Sequence, residues 1–169
     1  MSSLVESIKS GRHAVAKGIA KENRLLAALL DHDFNASLVN LPLSSYDIVV
    51  ELSTQTLPEF IRIQVKTVNP SGSISFTGSG RGGVDRQYKS NVKTYIQNTK
   101  TSDIVVGVKT EETKHENSCD FYFVPTILIE RINQKSLSTN KIRQAKNHWP
   151  ILRRCKDAGF VQQNFREFF

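Results

Sequence analysis

An aspartate and a Gln-x-Lys pair stand in two short apolar runs, Tyr46-Asp47-Ile48-Val49-Val50 and Arg62-Ile63-Gln64-Val65-Lys66-Thr67. Brought together, an acid, an amide and an ammonium are suited to holding a magnesium ion against a phosphodiester and hydrolysing it. Carboxylate and amide oxygens are ligands for a hard cation, and a lysine can orient water or offset charge on the phosphate. The chemistry depends on Asp47, Gln64 and Lys66 meeting, so the elements that carry them decide the matter.

Side chains alternate between the two faces of a strand. Gln64 and Lys66 therefore share one face, and Ile63, Val65 and Ile61 share the other. The intervening Leu52 to Phe60 contains Ser53, Thr54, Gln55, Thr56 and Pro58 and reads as a hairpin loop, which makes the two strands antiparallel neighbours. A slip of one residue would send Asp47 to the far face, and the sequence leaves that register open. A polar Arg62/Gln64/Lys66 face also matches the solvated side of an ordinary antiparallel sheet.

Upstream, Val15, Ile19, Leu26, Leu29 and Leu30 form an apolar stripe about 100° wide on a helix over Val15 to Leu30, expected to face the sheet. Glu22 falls in the middle of it. An unpaired carboxylate on a core-facing line is costly, so Glu22 becomes the third candidate ligand.

Taken together, Lys17-Gly18-x-x-x-Glu22, Tyr46-Asp47 and Ile63-Gln64-Val65-Lys66-Thr67 resemble the PD-(D/E)XK nucleases, a superfamily of restriction enzymes, Holliday-junction resolvases and some homing endonucleases. The resemblance spans roughly residues 15 to 125. Tyr46 stands where the motif has proline, and Gln64 where it usually has an acid; the Gln-x-Lys variant is similar to that of small intron-encoded homing endonucleases. The resemblance implies an α/β, restriction-endonuclease-like αβββαβ core, with a central mixed sheet flanked by helices. It also implies Mg²⁺ held by Asp47, Gln64, the Val65 carbonyl and Glu22, with Lys66 orienting or activating the attacking water.

The chain has 169 residues, which fits one domain. Its formal charge of +7 favours an anionic partner, nucleic acid or an acidic membrane surface. No apolar run reaches the roughly 18 residues of a membrane span, and the N-terminal residues lack a signal-peptide pattern. A soluble, intracellular (cytoplasmic) protein with no membrane partner is expected. Cys119 and Cys155 fit no metal spacing and read as free thiols, while His13, His32, His115 and His148 are scattered.

Beyond Lys66, Ser71 to Thr77 reads as a short strand running into the glycine-rich Gly78-Ser79-Gly80-Arg81-Gly82-Gly83. That loop either brings Arg81 and backbone amides to a DNA phosphate or is a plain connector. Val84 to Asn98 has helical spacing and is expected to cross back over the sheet. Ser102 to Val108 and, after a charged turn at Glu111 to Asn117, Phe121 to Val124 read as central strands.

Between Arg131 and Lys156 there are eight basic residues and no Asp or Glu. This segment is the leading DNA-contact surface, with Lys141, Arg143, Lys146, Arg153 and Arg154 as its contacts. Ser138-Thr139-Asn140 is expected to cap a helix beginning near Lys141, and Pro150 to end or kink it. Trp149 is either a core residue or a stacking platform. The four phenylalanines after Gly159 are expected to pack on the core or on another subunit.

These features point first to a Mg²⁺-dependent DNA endonuclease of homing or restriction type, acting on duplex DNA as a homodimer or higher oligomer. A Holliday-junction resolvase acting on branched DNA shares the same catalytic elements. A non-catalytic nucleic-acid-binding module would carry the same fold with Gln64 marking a decayed site.

Overall fold

The structure is a computed structural model that describes residues 2–41, 44–53, 57–79, 94–112 and 117–169. In chain order its strands are β1 (Asn35–Leu38), β2 (Ile48–Leu52), β3 (Glu59–Thr67), β4 (Ser73–Ser75), β5 (Thr77–Ser79), β6 (Thr94–Ile96), β7 (Ile104–Glu112), β8 (Asn117–Pro125) and β9 (Ser136–Ser138). Helices α1 (Ser2–Asp31), α2 (Thr126–Ile132), α3 (Pro150–Arg153) and α4 (Ala158–Asn164) accompany them. The fold is mixed α/β about a five-stranded sheet of order β1-β2-β3-β7-β8, in which only β3 and β7 are parallel.

The alternation read from the sequence of β3 matches its burial: Ile61, Ile63 and Val65 are buried, and Arg62, Gln64 and Lys66 are half-buried on the other face. Ile48, Val50 and Leu52 of β2 are likewise buried. The β2–β3 hairpin is antiparallel, with Ile48 opposite Ile63 and Val49 opposite Arg62. The two later runs form β7 and β8, paired antiparallel, but β8 is an edge strand rather than a central one. Asn147 closes part of that edge: its N–H donates to the Phe121 carbonyl (2.7 Å), and its Oδ1 accepts the Phe121 N–H (2.8 Å).

Helix α1 corrects the predicted stripe. Leu25 and Leu29 are fully buried and Lys21 is 7 % exposed, whereas Val15, Ile19 and Leu30 are 51–53 % exposed. The helix packs on β1 and β3, and from His13 to Ala20 every residue but Gly18 is exposed. Its inward line is therefore Lys21, Leu25 and Leu29 at i, i+4 and i+8, one step round the helix from the stripe read in the sequence. The Lys21 ammonium ends on the Thr110 hydroxyl of β7.

Three further expectations change. Residues 84–93 of the predicted crossover helix lie outside the described residues, and Thr94–Ile96 is a strand paired with β5 rather than helix. The Tyr95 ring lies over Gly78, where a Cβ would come within 2.4 Å of it, so a side chain at that position would push the ring aside. Ser138 does cap a turn, accepting the Asn140 N–H, but the turn is a single 3₁₀ turn over Thr139–Lys141, followed by a second over Arg143–Ala145. Pro150 then starts α3 instead of ending a helix, at a first-turn position whose missing N–H costs nothing. Strand β1 was not anticipated.

Of the terminal phenylalanines, Phe165 is fully buried, and Phe160 and Phe168 pack against the core. Trp149 is half-buried among His32, Phe34, Phe121 and Phe123, with ring centroids 4.0–6.1 Å apart, and belongs to the packing. No helix among the described residues is long and apolar enough to cross a membrane.

Candidate functional site

Asp47 stands one residue ahead of β2, where the regular ladder ends, and is tied to β3 by both backbone and side chain. Its N–H donates to the Ile63 carbonyl (2.8 Å), and its carbonyl accepts the Val39 N–H (2.8 Å). Its carboxylate Oδ2 accepts the Val65 N–H (2.7 Å) and the Gln64 side-chain amide. The ladder extended by one step sets Asp47 opposite Gln64, so the register left open by the sequence is the one that joins the acid to the Gln-x-Lys pair.

Gln64 Nε2 also lies 3.3 Å from the Val65 carbonyl oxygen, and Gln64 Oε1 accepts from Gln97 Nε2 (3.3 Å). Gln97 is fully buried just after β6. Sequence reasoning placed it in a helix and gave it no role; its link to Gln64 crosses 33 positions of chain and leaves no local signal.

Lys66 lies on the same face. Its partner across the parallel ladder is Gly107, and Ile74 of β4 fills the space above that glycine, where a Cβ would lie 2.5 Å from Ile74 Cδ1. Burial pushes the Lys66 ammonium below its ordinary range, and the nearby Asp47 charge partly offsets this. The same burial raises Asp47, against the opposing pull of the Val65 N–H and of Lys66. Glu22, half-buried on α1, is raised by burial and then by the negative charge of Asp47, so the two carboxyls are within electrostatic reach.

The third polar residue of β3, Arg62, is committed elsewhere. Its guanidinium pairs with the buried Asp103 through Nε (3.1 Å) and Nη2 (2.9 Å), and it also donates to the Thr99 and Lys100 carbonyls. Asp103 accepts the Arg62 N–H as well (2.8 Å). This staple locks β3 to the start of β7 beside the candidate site.

The donor set of Asp47, Glu22, the Gln64 amide and the Val65 carbonyl is all oxygen, which suits a hard divalent cation and not a thiolate or imidazole metal. Two acids whose burial favours the protonated form are also a place where a cation would restore the charged one. Among the described residues there is no group of three or more His, Cys, Asp and Glu side chains able to hold a metal.

The predicted DNA contacts divide. Lys141 and Arg143 are exposed on the two 3₁₀ turns. Lys146 pairs with Asp120 (2.8 Å), and Arg154 pairs with Asp157 (2.6 Å) and covers the Phe160 ring. Arg153 lies over the Phe34 ring, 4.4 Å from its centroid. The acid-free run thus finds its acids elsewhere in the chain. Arg81 lies outside the described residues.

No protein-family model matches the chain, and no characterised protein matches it by sequence. Among solved structures, a bacterial homing endonuclease, I-Ssp6803I, has a similar fold: TM-score 0.58 over 90 % of this chain and 95 % of that one, at 13 % identity. At that identity the likeness concerns the fold.

Proposed function

We propose that this chain is a DNA endonuclease of the PD-(D/E)XK type that hydrolyses phosphodiester bonds with a divalent cation, Mg²⁺ by the chemistry of its oxygen ligands. The observation that carries this reading is the Asp47 carboxylate, pinned to the Val65 N–H at 2.7 Å with Gln64 opposite and Lys66 on the same face. That the solved protein of similar fold is a homing endonuclease supports it.

Asp47 and Glu22 would hold the cation with the Val65 carbonyl and, once its amide turns, the Gln64 oxygen. The bound ion supplies Lewis-acid polarisation of the phosphoryl group and positive charge against the transition state. Asp47, fixed by backbone contacts, sets where the scissile phosphate lies. Lys66 donates to the attacking water and faces the charge that develops on phosphorus oxygens. Because burial already disfavours its ammonium, the neutral amine of Lys66 is suited to take that water's proton as the new P–O bond forms and the P–O bond to the leaving strand breaks, the departing oxygen taking its proton from solvent water. Lys141 and Arg143 would meet phosphates. A double-strand cut needs two such sites, so the working form in this reading is a homodimer or higher oligomer on duplex DNA.

A second reading has one observation in its favour: Asp47 Oδ2 is already satisfied by Val65 and Gln64, as in a site that binds nucleic acid without cutting. Incubating plasmid and a synthetic four-way junction with the wild type and Asp47→Ala, with and without Mg²⁺, divides the two. Mg²⁺-dependent cleavage lost in the variant is expected, and the preferred DNA separates homing or restriction activity from junction resolution. Salt-sensitive binding with no cutting by either protein would establish the second reading instead.

A further inference from the structure

Gln97 is a fully buried amide that lies one hydrogen bond from the candidate metal site, with donors at its oxygen end and an acceptor at its nitrogen end. Its Oε1 accepts from the Thr101 hydroxyl (2.6 Å) and the Ser102 hydroxyl (3.1 Å). Its Nε2 donates to Gln64 Oε1 (3.3 Å), and Gln64 Nε2 in turn donates to Asp47. Its backbone N–H is held by the Phe76 carbonyl (2.8 Å). The result is a directional chain: hydroxyls to Gln97, Gln97 to Gln64, Gln64 to Asp47.

An amide has a donor end and an acceptor end, so such a chain has two self-consistent states. In the one present, Gln64 presents its nitrogen to Asp47, which suits a bare carboxylate. For Gln64 to offer its oxygen to a cation shared with Asp47, its nitrogen must turn towards Gln97. If Gln97 stayed, two NH₂ groups would face each other in a buried place with an unmet bond. If Gln97 turns too, its oxygen accepts from Gln64, and its nitrogen faces Thr101 and Ser102, whose hydroxyls accept as readily as they donate. Thr101 already has an alternative acceptor for its proton, the Asn98 carbonyl at 2.9 Å.

We infer that Gln97 is a positioning residue for Gln64, and that the two amides form a coupled pair that reverses together when a divalent cation is taken up at Asp47. This rests on the metal site proposed above and adds to it a residue that touches neither cation nor DNA.

The test needs no loaded enzyme turning over. The full-length ¹⁵N-labelled chain is titrated with Mg²⁺ alone, without DNA, and the side-chain amide signals of Gln64 and Gln97, assigned with Gln64→Ala and Gln97→Leu, are followed beside the Val65 backbone amide. All three should shift with one midpoint. The nuclear Overhauser contacts of the Gln97 Nε2 protons should pass from the Gln64 side chain to the Thr101 and Ser102 β protons, and Asp47→Asn should abolish every shift. If Val65 responds and Gln97 keeps its contacts to Gln64, the coupled reversal is wrong while the metal site stands. If no signal responds to Mg²⁺, both fall. Because the wild-type titration is decisive alone, a variant that folds poorly does not rescue the idea.

Discussion

Replacing Asp47 by asparagine should make the cation-free protein more stable. Burial raises the Asp47 carboxyl more than the Val65 N–H and Lys66 lower it, and Asp47 in turn raises Glu22. An acid whose folded value lies above its unfolded value binds its proton more tightly when folded. It costs nothing below the unfolded value, about 3.9 for aspartate, and its cost grows as pH rises through the folded value and is complete above that. Asparagine removes this cost and relieves Glu22, while keeping an oxygen for the Val65 N–H. With Asp47 partly open to solvent, a gain of about 1 kcal/mol is expected, or about 2–4 °C in Tm for a chain of this length. Mg²⁺ reverses the order. At a hundredfold above its Kd it stabilises the wild type by about 2.7 kcal/mol, about 5–11 °C by the same scaling, and leaves the variant unmoved. Differential scanning calorimetry at pH 7.5 in EDTA and in Mg²⁺, repeated at pH 5 where the gap in EDTA should narrow, measures all of this. A variant that melts several degrees below the wild type in EDTA, or that gains as much from Mg²⁺, would refute the reasoning.

Three other outcomes follow from the same geometry. Lys66→Met keeps the stem and removes the ammonium, so cleavage should fall by about 10²–10⁴-fold while DNA affinity, read by fluorescence anisotropy, stays within a few-fold. Lys141→Gln with Arg143→Gln should flatten the slope of log K against log salt by about 2, whereas Arg154→Gln, whose charge is already paired with Asp157, should change it by less. Of the two cysteines, Cys155 is fully buried and its thiol is pushed up to about 12, so mass spectrometry after iodoacetamide treatment of the folded protein should find Cys119 modified and Cys155 intact.

What was legible in the sequence was the part governed by short periods. The six residues Ile61 to Lys66 of β3 alternate cleanly enough to separate the Gln64/Lys66 face from the Ile63/Val65 face, and the turn residues after Leu52 announce the hairpin that brings Asp47 near. Glu22 stood out because a carboxylate is costly on an inward line, and it is indeed half-buried, although the line itself was misread. A 30-residue helix offers more than one apolar stripe, and Val15 and Ile19 mark one that is exposed. Strands of three or four residues, such as β1, β6 and β9, are too short for a period of two to register. The acid-free run hid its own partners, since Asp120 and Glu59 reach Lys146 and Lys156 from distant strands. Gln97 could not be found at all, because its meaning comes only from the tertiary contact with Gln64.

The parallel pairing of β3 with β7 bears on when the candidate site comes into being. Ile63 neighbours Ile104, so the inner flank of the Gln64 strand exists only after the ribosome has made β7, and contacts of such long sequence separation are slow to form. Asp47 can meet Gln64 earlier, across the hairpin, but Ile74 can settle over Gly107, the ladder partner of Lys66, only afterwards. A nascent or truncated product that stops short of β7 would carry all four candidate residues and still lack the strand that flanks Gln64 and Lys66.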